Sequence, residues 1–173
     1  MPSEENLGRL ANLARRVEKE YNTPLEFVSG GNSSSIDLLQ DLKMPKGITN
    51  LRLGEAIALG RETAYGKCIE NTYQDSFKLV CEIVEVKNKP SMPIGEIGMD
   101  AFGNVPSYED KGILKRAIVG IGKQDINIEG IIPIDKNIEI LGASSDHMIL
   151  NVTDCENKYE VGDKIEFLVE YSG

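Results

Sequence analysis

Leu25-Glu-Phe-Val-Ser-Gly-Gly-Asn-Ser-Ser-Ser35 is the stretch that decides how this chain is read. A short apolar run, predicted as a strand over 25–29, empties into two glycines and a cluster of hydroxyls. A helical pattern of Ile36, Leu38, Leu39 and Leu42 follows at once. Backbone amides and serine hydroxyls are thereby placed at the start of a helix, where the macrodipole and unpaired N–H groups favour an anion. The layout then recurs. Ile48-Thr-Asn-Leu-Arg-Leu53 reads as a strand, and Gly54-Glu-Ala-Ile-Ala-Leu-Gly60 as a short helix that opens on glycine. Two consecutive strand–loop–helix units with glycine at the turn are how a (β/α) barrel builds a phosphate site on its last loops. A lone Gly-Gly-Asn-Ser turn would be ordinary turn chemistry. The second unit favours the anion site, because Arg52 stands between Leu51 and Leu53 and is expected to be buried with them.

Upstream, residues 4–21 carry the clearest helical pattern: Leu7, Leu10, Ala14, Val17 and Tyr21 fall on one stripe. Ser3 suits the N-cap, Glu4 and Glu5 suit the positive end of the dipole, and Asn22-Thr-Pro24 stops the helix. Downstream of residue 64 the texture changes. Short segments rich in Ile and Val, at 76–86, 92–97, 113–121, 126–134, 137–141, 147–152 and 164–171, are separated by turn signals such as Asn88-Lys-Pro90, Asp135-Lys-Asn137 and Val161-Gly-Asp163. Such a series indicates an antiparallel β-barrel or sandwich. The boundary is placed at Ala64-Tyr-Gly66, dividing residues 1–64 from 65–173. Two βα units cannot close a parallel barrel, which needs eight. The expected fold is therefore α+β: the C-terminal remnant of a (β/α)8 barrel followed by an antiparallel β-barrel or sandwich domain, in a chain that is a fragment of a longer protein.

The hydrophobic share of 40% and charged share of 27% belong to a soluble globular protein, and no apolar run approaches the roughly 20 residues of a membrane span. Met1-Pro-Ser-Glu-Glu has neither the positive flank nor the apolar core of a signal peptide. A net charge of −9 argues against a nucleic-acid or anionic-membrane partner. Cys68, Cys81 and Cys155 are odd in number and widely spaced, and the lone His147 gives them no partner at metal-ligand spacing. No metal site is expected, and free thiols point to a reducing cytoplasm.

Four motifs in combination carry a resemblance: Ser29-Gly-Gly-Asn-Ser-Ser34, Asn50-Leu-Arg-Leu-Gly-Glu-Ala-Ile57, Pro93-Ile-Gly-Glu-Ile-Gly-Met-Asp100 and Glu139-Ile-Leu-Gly-Ala-Ser-Ser-Asp-His147. With these the chain resembles the fold-type III pyridoxal-phosphate amino-acid racemases, most of all the ornithine racemase branch and more distantly alanine racemase. In those enzymes a (β/α)8 barrel is joined to a C-terminal β-domain, and the β-domain of one subunit covers the active site of the other. The resemblance implies that Asn32 and Ser33 match an Asn-Ser pair whose serine holds the cofactor phosphate. It implies that Arg52 faces the pyridine nitrogen and that the backbone amides of Gly54 and Glu55 complete the phosphate cradle. An arginine there cannot give up its proton, so the nitrogen stays unprotonated and the ring becomes a weaker electron sink.

The resemblance also has gaps. No residue matches the Schiff-base lysine. Where alanine racemase has a tyrosine as second base, the segment reads Gly95-Glu-Ile-Gly-Met-Asp-Ala101. Glu96 or Asp100 could take that role if burial raises its pKa, and both also suit the capping of a turn. Asp146 matches an aspartate lining the substrate-carboxylate side, while His147 beside it suits packing or solvent. The implied function is two-base proton exchange at Cα of an amino acid, ornithine or another basic one, with this fragment itself inactive. The alternatives are a non-catalytic pyridoxal-phosphate- or phosphate-binding protein and a β-barrel interaction module. Cutting a barrel exposes apolar faces around Phe27, Val28, Leu51 and Leu53, so a homodimer is expected.

Overall fold

The first helix forms where its local chemistry directs it. In the computed structural model, which describes residues 2–95, 98, 99 and 109–171, α1 spans Glu4–Tyr21. Ser3 is extended and its hydroxyl accepts the Asn6 amide at 3.1 Å, Glu4 and Glu5 occupy the first turn, and Asn22 closes the helix in the left-handed region at φ 49°. Leu7, Ala11 and Ala14 are buried, whereas Tyr21, at the far end of the predicted stripe, is 74% exposed.

The first β-strand differs from expectation. β1 is Ser29–Asn32, not residues 25–29, and it runs parallel to β2 (Asn50–Arg52) with Ser29 opposite Asn50 and Asn32 opposite Arg52. The cause is tertiary. A Cβ at Gly30 would sit 2.5 Å from Ile48 Cγ2, so the close pairing is open only to the glycine segment. Val28 leads into it, its carbonyl accepting the amides of Thr49 and Asn50, while the 25–27 stretch stays irregular and Phe27 is exposed. A 3-10 turn at Ser33–Ser35 enters α2 (Ile36–Gln40), and α3 (Glu55–Ala58) follows β2 as a single turn capped by Gly54.

The chain folds as two compact units, Met1–Phe77 and Lys78–Gly173, so residues 65–77, grouped by composition with the β-rich part, pack with the first unit. Glu62 explains why. It is buried, and its carboxylate accepts the amides of Ala64, Tyr65 and Lys67 at 2.7–2.9 Å. The Gly60 carbonyl in turn accepts the Ile69 amide and is approached by the Thr72 hydroxyl and Gln74 amide.

The second unit is one antiparallel sheet in the order β5-β8-β3-β4-β7-β6, a nearly closed barrel. Its strands are β3 (Lys78–Pro90), β4 (Ile113–Val119), β5 (Ile131–Pro133), β6 (Glu139–Ala143), β7 (Met148–Asn151) and β8 (Lys164–Val169). An irregularity between Ile83 and Glu85 lets β3 pair with β8 along its first part and with β4 along its second. Alternation puts Cys81, Ile83, Ala117, Val119, Met148, Leu150, Ile165 and Phe167 in one buried cluster. The predicted strand at 92–97 does not form over 92–95, and residues 96 and 97 lie outside the described residues. Instead the Ser91 amide bonds the Gly112 carbonyl at 2.7 Å, and Arg116 donates to the carbonyls of Pro90 and Ser91. The segment predicted at 126–134 begins with a 3-10 turn, Ile128–Gly130, before β5. Among the described residues no helix is long and apolar enough to cross a membrane.

Candidate functional site

The loop after β1 and the start of α3 meet at Ser33. Its side chain is buried, and its Oγ accepts the Gly54 amide at 3.3 Å and the Ala56 amide at 3.1 Å. Two bonds accepted leave the hydroxyl proton free to donate. The Glu55 amide lies between those two in sequence, at the first turn of α3, and has no acceptor among the described residues. Ala56 was not legible in the sequence as a partner of Ser33, since only the approach of the two loops selects it.

Two further hydroxyls and one amide shape the loop. Asn32 Oδ1 accepts both the Ser34 amide at 3.0 Å and the Ser34 hydroxyl at 2.8 Å, which fixes the 3-10 turn. Ser35 is fully buried and donates back to the Gly30 carbonyl at 2.9 Å. Gly31 takes φ +119°, a region closed to ordinary side chains, and a Cβ there would sit 2.6 Å from Ser35 Oγ.

Arg52 is not buried, contrary to the sequence reading. It is exposed and makes no ion pair among the described residues. The pairing register explains this: Leu51 alone turns toward Gly30 and Ile48, while Arg52 lies on the opposite face of a three-residue strand. That face carries Ser29, Asn32, Asn50 and Arg52 together. Ser29 Oγ is buried on it with no partner among the described residues.

Asp146 belongs to the second unit, in the turn between β6 and β7, and is exposed. The Ser144 hydroxyl donates to it at 2.9 Å and His147 Nδ1 lies 3.0 Å away; these two contacts, the serine first, hold its carboxyl below the ordinary carboxylate range. His147 Nδ1 also lies 2.7 Å from Ser144 Oγ. The turn is locked against residues 122–125: the Lys123 and Gln124 amides donate to the Ser144 and Ser145 carbonyls, and a Cβ on Gly122 would run into the Ser145 carbonyl and the Asp146 nitrogen. Glu96 and Asp100 lie outside the described residues.

No family model matches the chain. Over 171 residues it is 57% identical to the ornithine racemase of Acetoanaerobium sticklandii, a match covering 99% of this chain and 48% of that protein. The chain is similar to the C-terminal portion of a fold-type III racemase. The lysine racemase of Thermotoga maritima is 42% identical over 172 residues, again across 99% of this chain and 48% of the relative. The chain thus spans about half the length of the curated relatives it matches. Among solved structures, the alanine racemase of Bartonella henselae with covalently bound pyridoxal phosphate superposes with a TM-score of 0.58 at 22% identity, over 95% of this chain and 43% of that one. At that identity the likeness is one of fold: a βα remnant followed by an antiparallel β-domain.

Proposed function

We propose that the protein is a pyridoxal-phosphate-dependent amino-acid racemase, with ornithine or another basic amino acid as substrate, and that this chain contributes the phosphate and pyridine-nitrogen end of its site. The observation that carries the reading is the bridge from Ser33 to the Gly54 and Ala56 amides, which joins the two loops that the family resemblance assigns to the phosphate. The donor set suits that group. A dianion needs several short N–H and O–H donors, and the Ser33 proton and the unpaired Glu55 amide meet here. The substrate class rests on the ornithine and lysine racemases to which the chain is similar.

The cofactor, when bound, supplies the electron sink that makes the substrate Cα–H acidic. The residues of this chain would bind and orient. Ser33 with the Glu55 amide would hold the phosphate, the Gly54 amide, expected there too, being engaged with Ser33 Oγ in the structure; Asn32 would shape the loop through Ser34, and Arg52 would hold the ring nitrogen unprotonated. Glu96, Asp100 and Asp146 are the candidates for handling a proton or the substrate carboxylate from the β-domain. The covalent attachment point has no counterpart among these 173 residues, so the racemase reading concerns the full-length protein. The test is incubation of full-length protein with L-ornithine and, separately, L-lysine, followed by chiral chromatography. Appearance of the D-enantiomer only with added pyridoxal phosphate supports the reading. A protein that takes up no pyridoxal phosphate and racemises neither amino acid overturns it.

A further inference from the structure

The β1–β2 face holds a polar group that the phosphate cradle does not use. Ser29 Oγ is buried and has no hydrogen-bond partner among the described residues, although a buried hydroxyl is nearly always paired. The register puts Ser29 opposite Asn50 and therefore on the same face as Arg52, two residues further along the neighbouring strand. Strand spacing and rise place such diagonal neighbours roughly 8 Å apart at Cα, a span that an arginine side chain covers. Two other polar side chains share the face: Asn32 Oδ1 already accepts two bonds from Ser34, and Asn50, directly opposite Ser29, is a neutral amide that cannot supply a charged donor. Arg52 brings five donors and no acceptor; Ser29 brings two lone pairs and one proton. Each lacks a partner and each suits the other.

Resting on the racemase reading, we infer that Ser29 is a positioning residue of the cofactor site: its hydroxyl accepts from the Arg52 guanidinium when the site is loaded and fixes the plane of that group against the ring nitrogen. Ser29 thus acts through Arg52, at the ring end and apart from the phosphate. It has no catalytic role of its own. Glycine follows at residue 30, so the strand can approach its neighbour closely enough for the hydroxyl to be enclosed rather than solvated.

The test uses the full-length, cofactor-loaded racemase and reads the visible absorbance of the bound cofactor as a function of pH, its dissociation constant, and kcat and KM separately. Ser29→Ala is expected to shift the titration of that absorbance and to lower kcat about tenfold, the effect of one hydrogen bond to a charged group. The pyridoxal-phosphate dissociation constant should change less than about threefold, since the phosphate donors are untouched. Ser29→Thr, which keeps the hydroxyl, should restore the wild-type titration. In an Arg52→Lys background, Ser29→Ala should add nothing further, because the partner that it orients is gone. An unchanged titration in Ser29→Ala, or full additivity with Arg52→Lys, overturns the inference and leaves the racemase reading standing. Absence of any cofactor absorbance in the wild-type protein overturns that reading itself.

Discussion

The two units of this molecule are held together by different physics. The second unit has a closed apolar interior, in which Phe167, Ile83, Met148 and Leu150 are fully buried on the inner face of one curled sheet. The first unit has few buried apolar side chains and leaves Phe27, Leu42 and Ile57 exposed, while its fully enclosed groups include Ser33, Ser35 and Glu62. Hydrogen bonds to buried side chains fix its loops where an apolar core would otherwise do so. A unit organised this way holds polar donors in set positions, as a binding site requires. A unit organised like the second supplies a rigid frame.

That contrast makes opposite expectations for substitutions in the two regions. Under the proposed function, Arg52→Glu should lower racemase activity of the full-length protein by about two orders of magnitude or more, the scale of losing a preorganised charge, because a carboxylate would let the ring nitrogen take up a proton. Since Arg52 is exposed, its denaturant midpoint should stay close to wild type. Phe167→Ala should do the reverse and cost about 3–5 kcal/mol of stability in urea unfolding, from lost burial plus a cavity.

Next in size is Glu62. Burial pushes its carboxyl up, but the amides of Lys67, Tyr65 and Ala64 together with the Lys67 charge outweigh that and leave it below its ordinary value. A group depressed in the folded state contributes stability above its unfolded pKa and loses it as pH falls through the folded one. The first unit should therefore loosen in acid below pH ~4, seen as faster amide hydrogen exchange at Ala64, Tyr65 and Lys67. Glu62→Gln should weaken the unit by about 1–3 kcal/mol and remove that acid dependence. Ser33→Ala should have a smaller, local effect, faster exchange at the Gly54 and Ala56 amides worth about 1–2 kcal/mol. Equal sensitivity of the two units to apolar truncation, for example Phe27→Ala matching Phe167→Ala, would break the comparison.

What the sequence disclosed follows the same division. α1 was legible from end to end because its signals are local: Ser3, the two glutamates and Asn22-Thr-Pro24 act within a turn of their own backbone. β4, β6 and β7 were legible as short runs rich in Ile and Val between turn signals, and β8 also by the alternation that buries Ile165 and Phe167. β1 was displaced because a glycine strand has no pattern of its own and exists only where Ile48 closes on it. Arg52 was read as buried from flanking leucines, yet neighbours in a strand face opposite ways. The meeting of the two loops followed from the repeated strand–glycine–helix layout. The choice of Ala56 over Glu55 as Ser33's partner, and the unpaired Ser29, depend on register and could not be read in advance. Glu62 gave no signal, because nothing in Glu-Thr-Ala-Tyr-Gly-Lys shows that three amides will turn onto one carboxylate.

The proposed function rests on Ser33 and the start of α3 forming the phosphate end of the site. It is tested most directly by equilibrium dialysis of full-length wild-type and Ser33→Ala protein against pyridoxal 5'-phosphate and, separately, pyridoxal without its phosphate. Ser33→Ala should weaken binding of the phosphate form severalfold, the effect of losing one charge-assisted donor, and leave the affinity for pyridoxal unchanged. Equal loss for both compounds, or none for either, would contradict it.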